Sequence, residues 1–184
     1  MIHKKITNSL YKKYAKQIVP ELTKTFKVEN MYELPQIKKI IVNMGLRKAK
    51  DDKSVLEEAV KDMATITGQK PVITKARKSI SNFGVRQGMP IGCKVTLRGK
   101  LMYDFLEKLL RIVIPRIRDF RGLNRSFDRN GNLTIGLKDE TIFPEINADN
   151  IKSIKGLGIS IVTDSRNRDK SEKMMELMGF PFIK

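Results

Sequence analysis

The sequence predicts an α+β fold, in which helices pack on one face of an antiparallel or mixed sheet. Three features predict it: short strands of alternating apolar and polar residues, amphipathic helices between them, and a hairpin signal late in the chain. A length of 184 residues is typical of one domain, and neither an internal repeat nor a long linker divides the chain. We therefore expect a single domain over residues 1–184.

The first 100 residues alternate between helix and strand. Apolar residues at helical spacing from Ile6 to Ile18 predict a helix with a basic outer face, interrupted at Pro20 and followed by a short second piece. Ile37 to Met44 reads as a strand rich in β-branched residues. Ser54, followed three residues later by Glu57, is a capping box that opens the next helix.

The helix that Ser54 opens is expected to end at Gly68. Pro71 to Thr74 then begins a strand, and Ile91 to Leu97 forms another. Between them, Ala76 to Met89 contains Gly, Ser and Asn among scattered apolar residues, which predicts a long loop.

The second half contains the strongest helix signal, an apolar stripe from Tyr103 to Ile114 that Pro115 ends or kinks. The dipeptide Asn130-Gly131 indicates a hairpin turn. Three elements are expected after this turn: the strand Leu133–Leu137, the strand Ile159–Thr163 and the helix Asp169–Met178, which ends at Gly179.

The balance of charge indicates a partner that is a polyanion. The chain has 37 Lys and Arg against 20 Asp and Glu, a formal net charge of +17 and an isoelectric point near 10.0. No acid occurs from Met63 to Tyr103. The cations of this acid-free window are Lys70, Lys75, Arg77, Lys78, Arg86, Lys94, Arg98 and Lys100. Such a window can neutralise phosphates, although a solvated basic face is the plainer interpretation of any one cluster.

Two strands carry a polar face opposite an apolar one. In the strand that begins at Ile37, Lys39 and Asn43 alternate with inward apolar residues, and in the later strand Thr96 and Arg98 do the same. Asn offers a donor and an acceptor, Arg a planar fork and Thr a hydroxyl, a mixture that can contact ribose, phosphate and base edges. The alternative is an ordinary strand facing solvent.

The loop from Ala76 to Met89 is long for a connection, which is typical of functional loops. Its cations are interleaved with Phe83, and Gly84 and Gly88 allow a partner to approach the backbone. Ile80, Phe83 and Val85 would be costly to leave exposed to solvent, which favours a loop that binds a partner over a disordered tip.

Nothing in the sequence supports catalysis, and we expect no cofactor or metal. There is no phosphate-binding glycine motif, His3 lies at the terminus, and Cys93 on a strand is typical of a small core residue. The carboxylates Asp51, Asp52, Glu57 and Glu58 resemble helix N-terminal charges. No apolar run approaches the roughly 18–20 residues of a membrane span, and no secretory leader is present, so we expect a cytoplasmic protein with no membrane partner.

Seven segments in order resemble one known family. They are Ile40–Gly45, Thr67–Pro71, Gly88–Gly92, Val95–Gly99, Pro115–Gly122, Ile142–Ile146 and Gly179–Phe182. Together they resemble the large-subunit ribosomal protein family numbered five, of the bacterial or organellar type, over essentially the whole chain. The chain departs from the family pattern at Arg47 and Arg129, where glycine is usual.

The resemblance implies a function for several residues. It implies a sheet of about five mainly antiparallel strands whose open face binds 5S rRNA, in a structural component of the large ribosomal subunit that acts in translation. The family's rRNA-contacting positions fall on Lys39, Asn43, Gln69, Thr96 and Arg98. Gln69 alone among them does not emerge from strand alternation.

The resemblance also implies partners beyond 5S rRNA: the large-subunit rRNA, a small-subunit head protein and tRNA in the peptidyl site. The region from Phe143 to Ile154 resembles the part that bridges to the head. The residues implied in the tRNA-contacting loop are Lys75, Arg77, Lys78, Ser81, Asn82, Phe83 and Arg86.

Three other classes compete with a ribosomal role. A general nucleic-acid binder rests on net charge, an RNA-processing enzyme requires a base or metal, and a membrane-surface protein requires a strongly amphipathic helix with Trp. The chain has no Trp and no convincing base.

Overall fold

The computed structural model describes residues 8–28, 30–46, 53–147, 154–165 and 167–183. The strands are β1 (Ile37–Gly45), β2 (Val72–Lys75), β3 (Pro90–Leu97), β4 (Leu133–Leu137) and β5 (Leu157–Thr163). They form one antiparallel sheet in the order β2-β3-β1-β5-β4. The α+β class and the five mainly antiparallel strands are therefore confirmed.

The helices are α1 (Ser9–Lys13), α2 (Val19–Phe26), α3 (Lys53–Thr67), α4 (Gly99–Lys108) and α5 (Arg168–Met178). Five-residue π-helical segments follow α1 and α4, at Tyr14–Ile18 and Leu109–Val113. Single 3₁₀ turns lie at Met31–Glu33, Ser81–Phe83, Ile114–Arg116 and Glu140–Ile142.

The expected interruption at Pro20 is wrong, because the helical path continues through it. The N–H of Val19 bonds the carbonyl of Tyr14, five residues back, so the helix widens before the proline. Pro20 then occupies the first turn of α2, where a missing N–H costs little. Ile6, the first residue of the predicted stripe, lies outside the described residues.

The starts of α3 and α4 differ from prediction. Because α3 begins at Lys53, Ser54 lies inside the first turn and is not the N-cap. The helix predicted from Tyr103 begins four residues earlier, at Gly99, directly after the extended Arg98. The predicted ends are confirmed: Gly68 and Gly179 have φ of +67° and +101° after α3 and α5.

The described residues group into two compact units. The first comprises the described residues within Met1–Ile40, Arg98–Ile135 and Ser160–Lys184, and the second those within Ile41–Leu97 and Gly136–Ile159. In the first unit, α1, α2, α4 and α5 bury an apolar face, and the buried Tyr14 hydroxyl donates to the carbonyl of Pro35 at 2.9 Å. In the second, α3 packs on β3, where the Cys93 thiol lies 3.9 Å from the carbonyl of Ala59.

The predicted hairpin is present in the first unit. Phe127 pairs with Leu133 across a turn in which Gly131 has a φ of +75°. The Asp128 carboxylate accepts from the backbone N–H groups of Asn130 and Asn132, at 2.9 and 2.8 Å. The first arm is a single bridge, so β4 is held mainly by its neighbour in the sheet, β5.

Candidate RNA interface

The predicted alternation of β1 is confirmed. Ile40, Val42 and Met44 are buried, whereas Asn43 is exposed and Lys39 is half-buried on the opposite side. Pleating gives every second residue the same face. Apolar burial on one side of the strand therefore directs the Asn43 amide away from the core.

The strand β3 has the same pattern. Val95 and Leu97 are buried, whereas Lys94 is exposed and Thr96 is half-buried. Arg98 follows directly in extended backbone and is exposed. Its guanidinium forms no ion pair with any described residue, so it is free to bind an anion.

A glycine on β5 makes room for the Asn43 side chain. A Cβ built on Gly158 would lie 2.5 Å from Asn43 Oδ1, so any larger residue there would displace the amide. Within the described parts of the chain, the Asn43 amide has no hydrogen-bond partner. Its donors and acceptor are thus available to a ligand.

Gln69 lies in the turn between α3 and β2 and is exposed. The buried Thr67 hydroxyl lies 2.7 Å from the carbonyl of Met63 and 3.2 Å from that of Gln69, and it accepts from the Gln69 N–H at 3.4 Å. These bonds fix the backbone of the turn and leave the Gln69 side chain outside it. Because Gln69 lies in a turn and not in a strand, it is not part of the alternation of apolar and polar residues that identified the other positions.

The loop from Ala76 to Met89 is a closed ribbon. At its base the Ala76 N–H donates to Met89 at 2.8 Å, and the Gly88 N–H donates to Ala76 at 2.9 Å. Near its tip, Ile80 and Val85 exchange backbone hydrogen bonds of 2.8 and 3.1 Å around the turn Ser81–Phe83. The expected long loop is confirmed, and its backbone is held in one shape.

All eight cations of the acid-free window are exposed. None of them forms an ion pair with a described residue. Four belong to or adjoin the loop: Lys75, Arg77, Lys78 and Arg86. Because neither burial nor a carboxylate neutralises them, this region carries a positive field that attracts phosphates.

An apolar groove of about 670 Å³ lies beside the loop. Its apolar walls include Leu46, Ile80, Phe83 and Ile91, and the Phe83 side chain is 67% exposed. Arg77 and Lys78 also line it. Apolar surface flanked by cations suits a nucleobase attached to a charged backbone.

Sequence reasoning missed a buried ion cluster in the second unit. Lys155 Nζ lies 2.9 Å from Asp62 Oδ2 and 3.2 Å from Glu140 Oε1, and Lys155 and Glu140 are almost fully buried. Glu140 Oε2 is buried and has no hydrogen-bond partner. A local sequence motif cannot predict this cluster, because its three members come from separate segments of the chain.

Burial and charge act against each other in this cluster. Burial raises the pKa of Glu140 above its ordinary value, and the charge of Lys155 only partly offsets this. Burial disfavours the Lys155 ammonium, but hydrogen bonds and charge from Asp62 and Glu140 outweigh it and raise the pKa of Lys155. Lys155 therefore stays charged, and its ion pair with Asp62 ties the residues just before β5 to α3.

The region predicted to bridge to the small subunit is described only in part, because residues 148–153 lie outside the described residues. Phe143 is fully buried, whereas Glu145 and Asn147 are exposed. Glu145 and Asn147 line a cleft of about 270 Å³ together with Asp62 of α3 and Lys155.

The described residues contain no group of three or more His, Cys, Asp and Glu suited to a metal ion. Cys93 is buried, and burial raises the pKa of its thiol to about 11, which disfavours the reactive thiolate. His3, Asp51 and Asp52 lie outside the described residues. Over the same ranges, no helix is both long and apolar enough to cross a membrane.

An α+β sheet with outward polar residues beside an ordered, cation-rich loop defines a class of RNA-binding protein. The chain belongs to the ribosomal protein L5 family. The family described as Ribosomal protein L5 matches residues 30–86, and the C-terminal region of the same ribosomal family matches residues 90–182.

Bacterial relatives match over nearly their whole length. The chain is 51% identical to the large ribosomal subunit protein uL5 of Thermus aquaticus over 177 residues, which cover 96% of this chain and 97% of the relative. It is 51% identical over 170 residues to that of Geotalea uraniireducens, covering 92% and 95%. It is 49% identical over 177 residues to that of Thermus thermophilus, covering 96% and 97%.

Family membership makes the chain a structural constituent of the large ribosomal subunit, and not an enzyme. It is a ribonucleoprotein component that binds ribosomal RNA and acts in translation on cytoplasmic ribosomes.

Proposed function

We propose that this chain binds 5S rRNA through Lys39, Asn43, Gln69, Thr96 and Arg98 and so helps attach it to the large subunit. The observation that carries the proposal is the unpartnered Asn43 amide, held outward by the buried residues of β1 and given room by Gly158. An exposed Asn on a strand costs β-propensity, so a contact with a partner accounts for its presence.

Each of these side chains suits a different part of RNA. The Asn43 amide pairs with a base edge, and the half-buried Thr96 hydroxyl reaches a ribose hydroxyl. Arg98 and Lys39 bind phosphates, Arg98 with two parallel hydrogen bonds. Gln69 extends the surface from the turn before β2.

The central experiment compares 5S rRNA affinity of the wild type with Asn43→Ala, Arg98→Ala and the double variant. We expect each change to cost about 1–3 kcal/mol if the contact is specific. Lys100→Ala is the matched control, since it removes an exposed charge two residues from Arg98. If the double variant binds 5S rRNA as tightly as the wild type, Asn43 and Arg98 are not part of the binding site. If Lys100→Ala loses as much affinity as Arg98→Ala, Arg98 contributes only its positive charge and makes no specific contact.

The variant Gly158→Ala tests whether 5S rRNA binding requires the position that the Asn43 amide has in the structure. The added methyl would press on Asn43 Oδ1, so 5S rRNA affinity should fall. In the Asn43→Ala background the same change should have almost no further effect, because the displaced group is gone. Additive losses in the double variant would show that Gly158 acts independently of Asn43.

We also propose that the loop from Ala76 to Met89 contacts tRNA in the peptidyl site, with Ser81, Asn82 and exposed Phe83 at its tip. The ordered ribbon and its unpaired cations support this. Ribosomes carrying Phe83→Ala with Arg86→Ala should release peptidyl-site tRNA faster than wild type. Lys70→Ala, in the same window but outside the loop, serves as the control. Equal release rates in all three would exclude the contact.

We further propose that the region around Phe143 to Ile154 contacts a protein of the small-subunit head. The described residues on either side of it are held by burial of Phe143 and by the ion pair of Lys155 with Asp62, which supports this proposal. A cysteine at exposed position 147 (Asn147→Cys) should cross-link to a head protein in joined ribosomes and not in isolated large subunits. Cross-links that are identical in both samples would contradict this.

The second candidate is a general binder of nucleic acid, favoured only by the net charge of +17. It predicts that duplex DNA and 5S rRNA compete equally. In a salt series, log affinity should fall with log salt for every polyanion. A persistent advantage of 5S rRNA over an unrelated structured RNA at high salt supports specific contacts, whereas convergence of the two supports the general binder.

A further inference from the structure

We propose that an arginine-rich segment, residues 116–129, forms a second RNA-binding surface that contacts phosphates of the long rRNA of the large subunit. This segment lies wholly in the first compact unit. It includes none of the residues proposed for 5S rRNA, tRNA or the small-subunit head, and the inference does not depend on those proposals.

The segment lies in a stretch that uses only arginine as its cation. Between Lys108 and Lys138 there is no lysine. The six arginines are Arg111, Arg116, Arg118, Arg121, Arg125 and Arg129. One guanidinium can donate two parallel hydrogen bonds to phosphate oxygens, and it is weakly hydrated. Both properties suit contact with an RNA backbone.

Two of the six arginines have structural partners. Arg111 pairs with Glu107 at 2.8 Å. Arg125 pairs with Glu172, pairs with Glu176 at 3.2 Å, and lies 5.6 Å from the centre of the Phe182 ring. These contacts account for Arg111 and Arg125 within the protein itself.

The other four arginines, at positions 116, 118, 121 and 129, have no such role. All four are exposed, and none forms an ion pair with a residue that the structure describes. Four unpaired guanidiniums within 14 residues repel one another, and an anionic partner relieves that repulsion.

The backbone of the segment is held in place. The Leu123 N–H donates to the carbonyl of Pro181 at 2.7 Å, and the Ile183 N–H donates back to Leu123 at 3.0 Å. Gly122 packs so closely that a Cβ there would lie 2.9 Å from Ile183 Cγ1. A segment fixed before binding loses less conformational entropy when a partner binds.

The acids of the segment do not cancel this charge. Asp128 is engaged by the hairpin turn, where it accepts from the Asn132 amide at 2.7 Å and from two backbone N–H groups. Asp119, which has a φ of +53°, is exposed and forms neither an ion pair nor a hydrogen bond with any described residue. Four free cations against one free carboxylate favour a polyanion over a protein surface of mixed charge.

The test uses the full chain with Arg116, Arg118, Arg121 and Arg129 all changed to Ala. The matched control changes Lys12, Lys13, Lys16 and Lys24 to Ala, which removes four exposed cations from α1, α2 and the π-helical segment between them. Binding is measured to 5S rRNA and, for the preformed protein–5S rRNA complex, to the long large-subunit rRNA. Thermal melting checks that each variant is folded.

We expect the arginine variant to lose at least 10-fold in affinity for the long rRNA and to keep 5S rRNA affinity within about threefold. Its salt dependence should weaken by about 0.7–0.9 in log–log slope for each phosphate that it no longer binds. The lysine control should change both affinities by less than threefold. An unchanged affinity for the long rRNA, or an equal loss in the lysine control, would overturn the proposal, whatever the outcome for the 5S rRNA site.

The variant Asp119→Asn tests whether the partner of this segment is RNA or the surface of another protein. Asn tolerates a positive φ, so this variant should fold as the wild type does. Removing the free carboxylate should strengthen binding to the long rRNA about two- to fivefold if phosphates are the partner. Unchanged or weaker RNA binding, or a loss of binding to a ribosomal protein in its place, would overturn the proposal.

Discussion

Lys155 is the residue on which the buried electrostatics of the second unit depend. Its side chain is 3% exposed, and it bridges Asp62 of α3 and Glu140. Replacing a buried pair with apolar groups is often neutral, but removing one partner strands the other charge. The cluster thus joins three separate segments at the cost of leaving Glu140 Oε2 unpartnered.

Lys155→Met should lower the free energy of unfolding by about 3–5 kcal/mol, because it strands the Glu140 carboxylate. Lys61→Met, an exposed position on the same helix as Asp62, should change it by about 0.5 kcal/mol or less. Urea unfolding measures both. Adding Glu140→Leu to Lys155→Met should recover much of the loss, and equal stability of the two single variants would contradict the role of the cluster.

Glu140 should also give the protein a distinctive pH dependence. Burial raises its pKa in the folded state above the ordinary 4.5, so its contribution to stability is complete below pH 4.5 and is lost as pH rises through the raised value. Relative to Glu140→Gln, the wild type should therefore lose stability from about pH 4.5 upward. Melting temperatures across this range test it, with exposed Glu57→Gln as a control that should follow the wild type.

At the scale of elements, the hairpin before β4 is locked to the start of α5. The Thr163 hydroxyl lies 3.1 Å from the carbonyl of Gly131 and 3.3 Å from the hydroxyl of buried Ser171. A Cβ on Gly131 would stand 2.4 Å from Ser171 Oγ. The turn therefore needs glycine for its positive φ and also for the space it leaves to the helix.

Gly131→Ala should destabilise the protein by about 2–4 kcal/mol, since backbone strain and overpacking add. Gly179→Ala is the matched control: its φ is +101°, but a Cβ there meets nothing within 4 Å. It should cost only the strain, about 1–2 kcal/mol. Thermal or urea unfolding gives both values, and equal costs would show that the contact with Ser171 is unimportant.

At the scale of the whole molecule, the net charge of +17 has two opposite effects. It attracts RNA, and it opposes compaction of the free protein. Salt screens both interactions. The ribosome supplies the anions that make this charge useful.

Raising salt from about 0.05 to 0.5 M should therefore raise the melting temperature of the free protein and weaken its affinity for RNA. Calorimetry and filter binding measure the two trends on the same sample series. The complex with 5S rRNA should show a smaller gain in melting temperature than the free protein, because bound phosphates already neutralise part of the charge. A free protein whose melting temperature is independent of salt would contradict the argument.

The local patterns of the sequence determined much of the fold and part of the candidate site. Alternation placed Asn43 and Thr96 opposite the buried face, Asn130-Gly131 marked the turn, and the acid-free window predicted the exposed cations. These signals are local, because a period of two or a required φ depends only on neighbours in the chain.

Only the tertiary structure decided the strand order, the room that Gly158 leaves for Asn43, the tie between Leu123 and the C-terminal residues, and the burial of Lys155. It also decided that the helical path continues through Pro20, against the local expectation. The physical reason is that burial and close approach depend on which distant segments meet. Lys155 and Asp62 are 93 residues apart, and neither residue alone indicates that they pair.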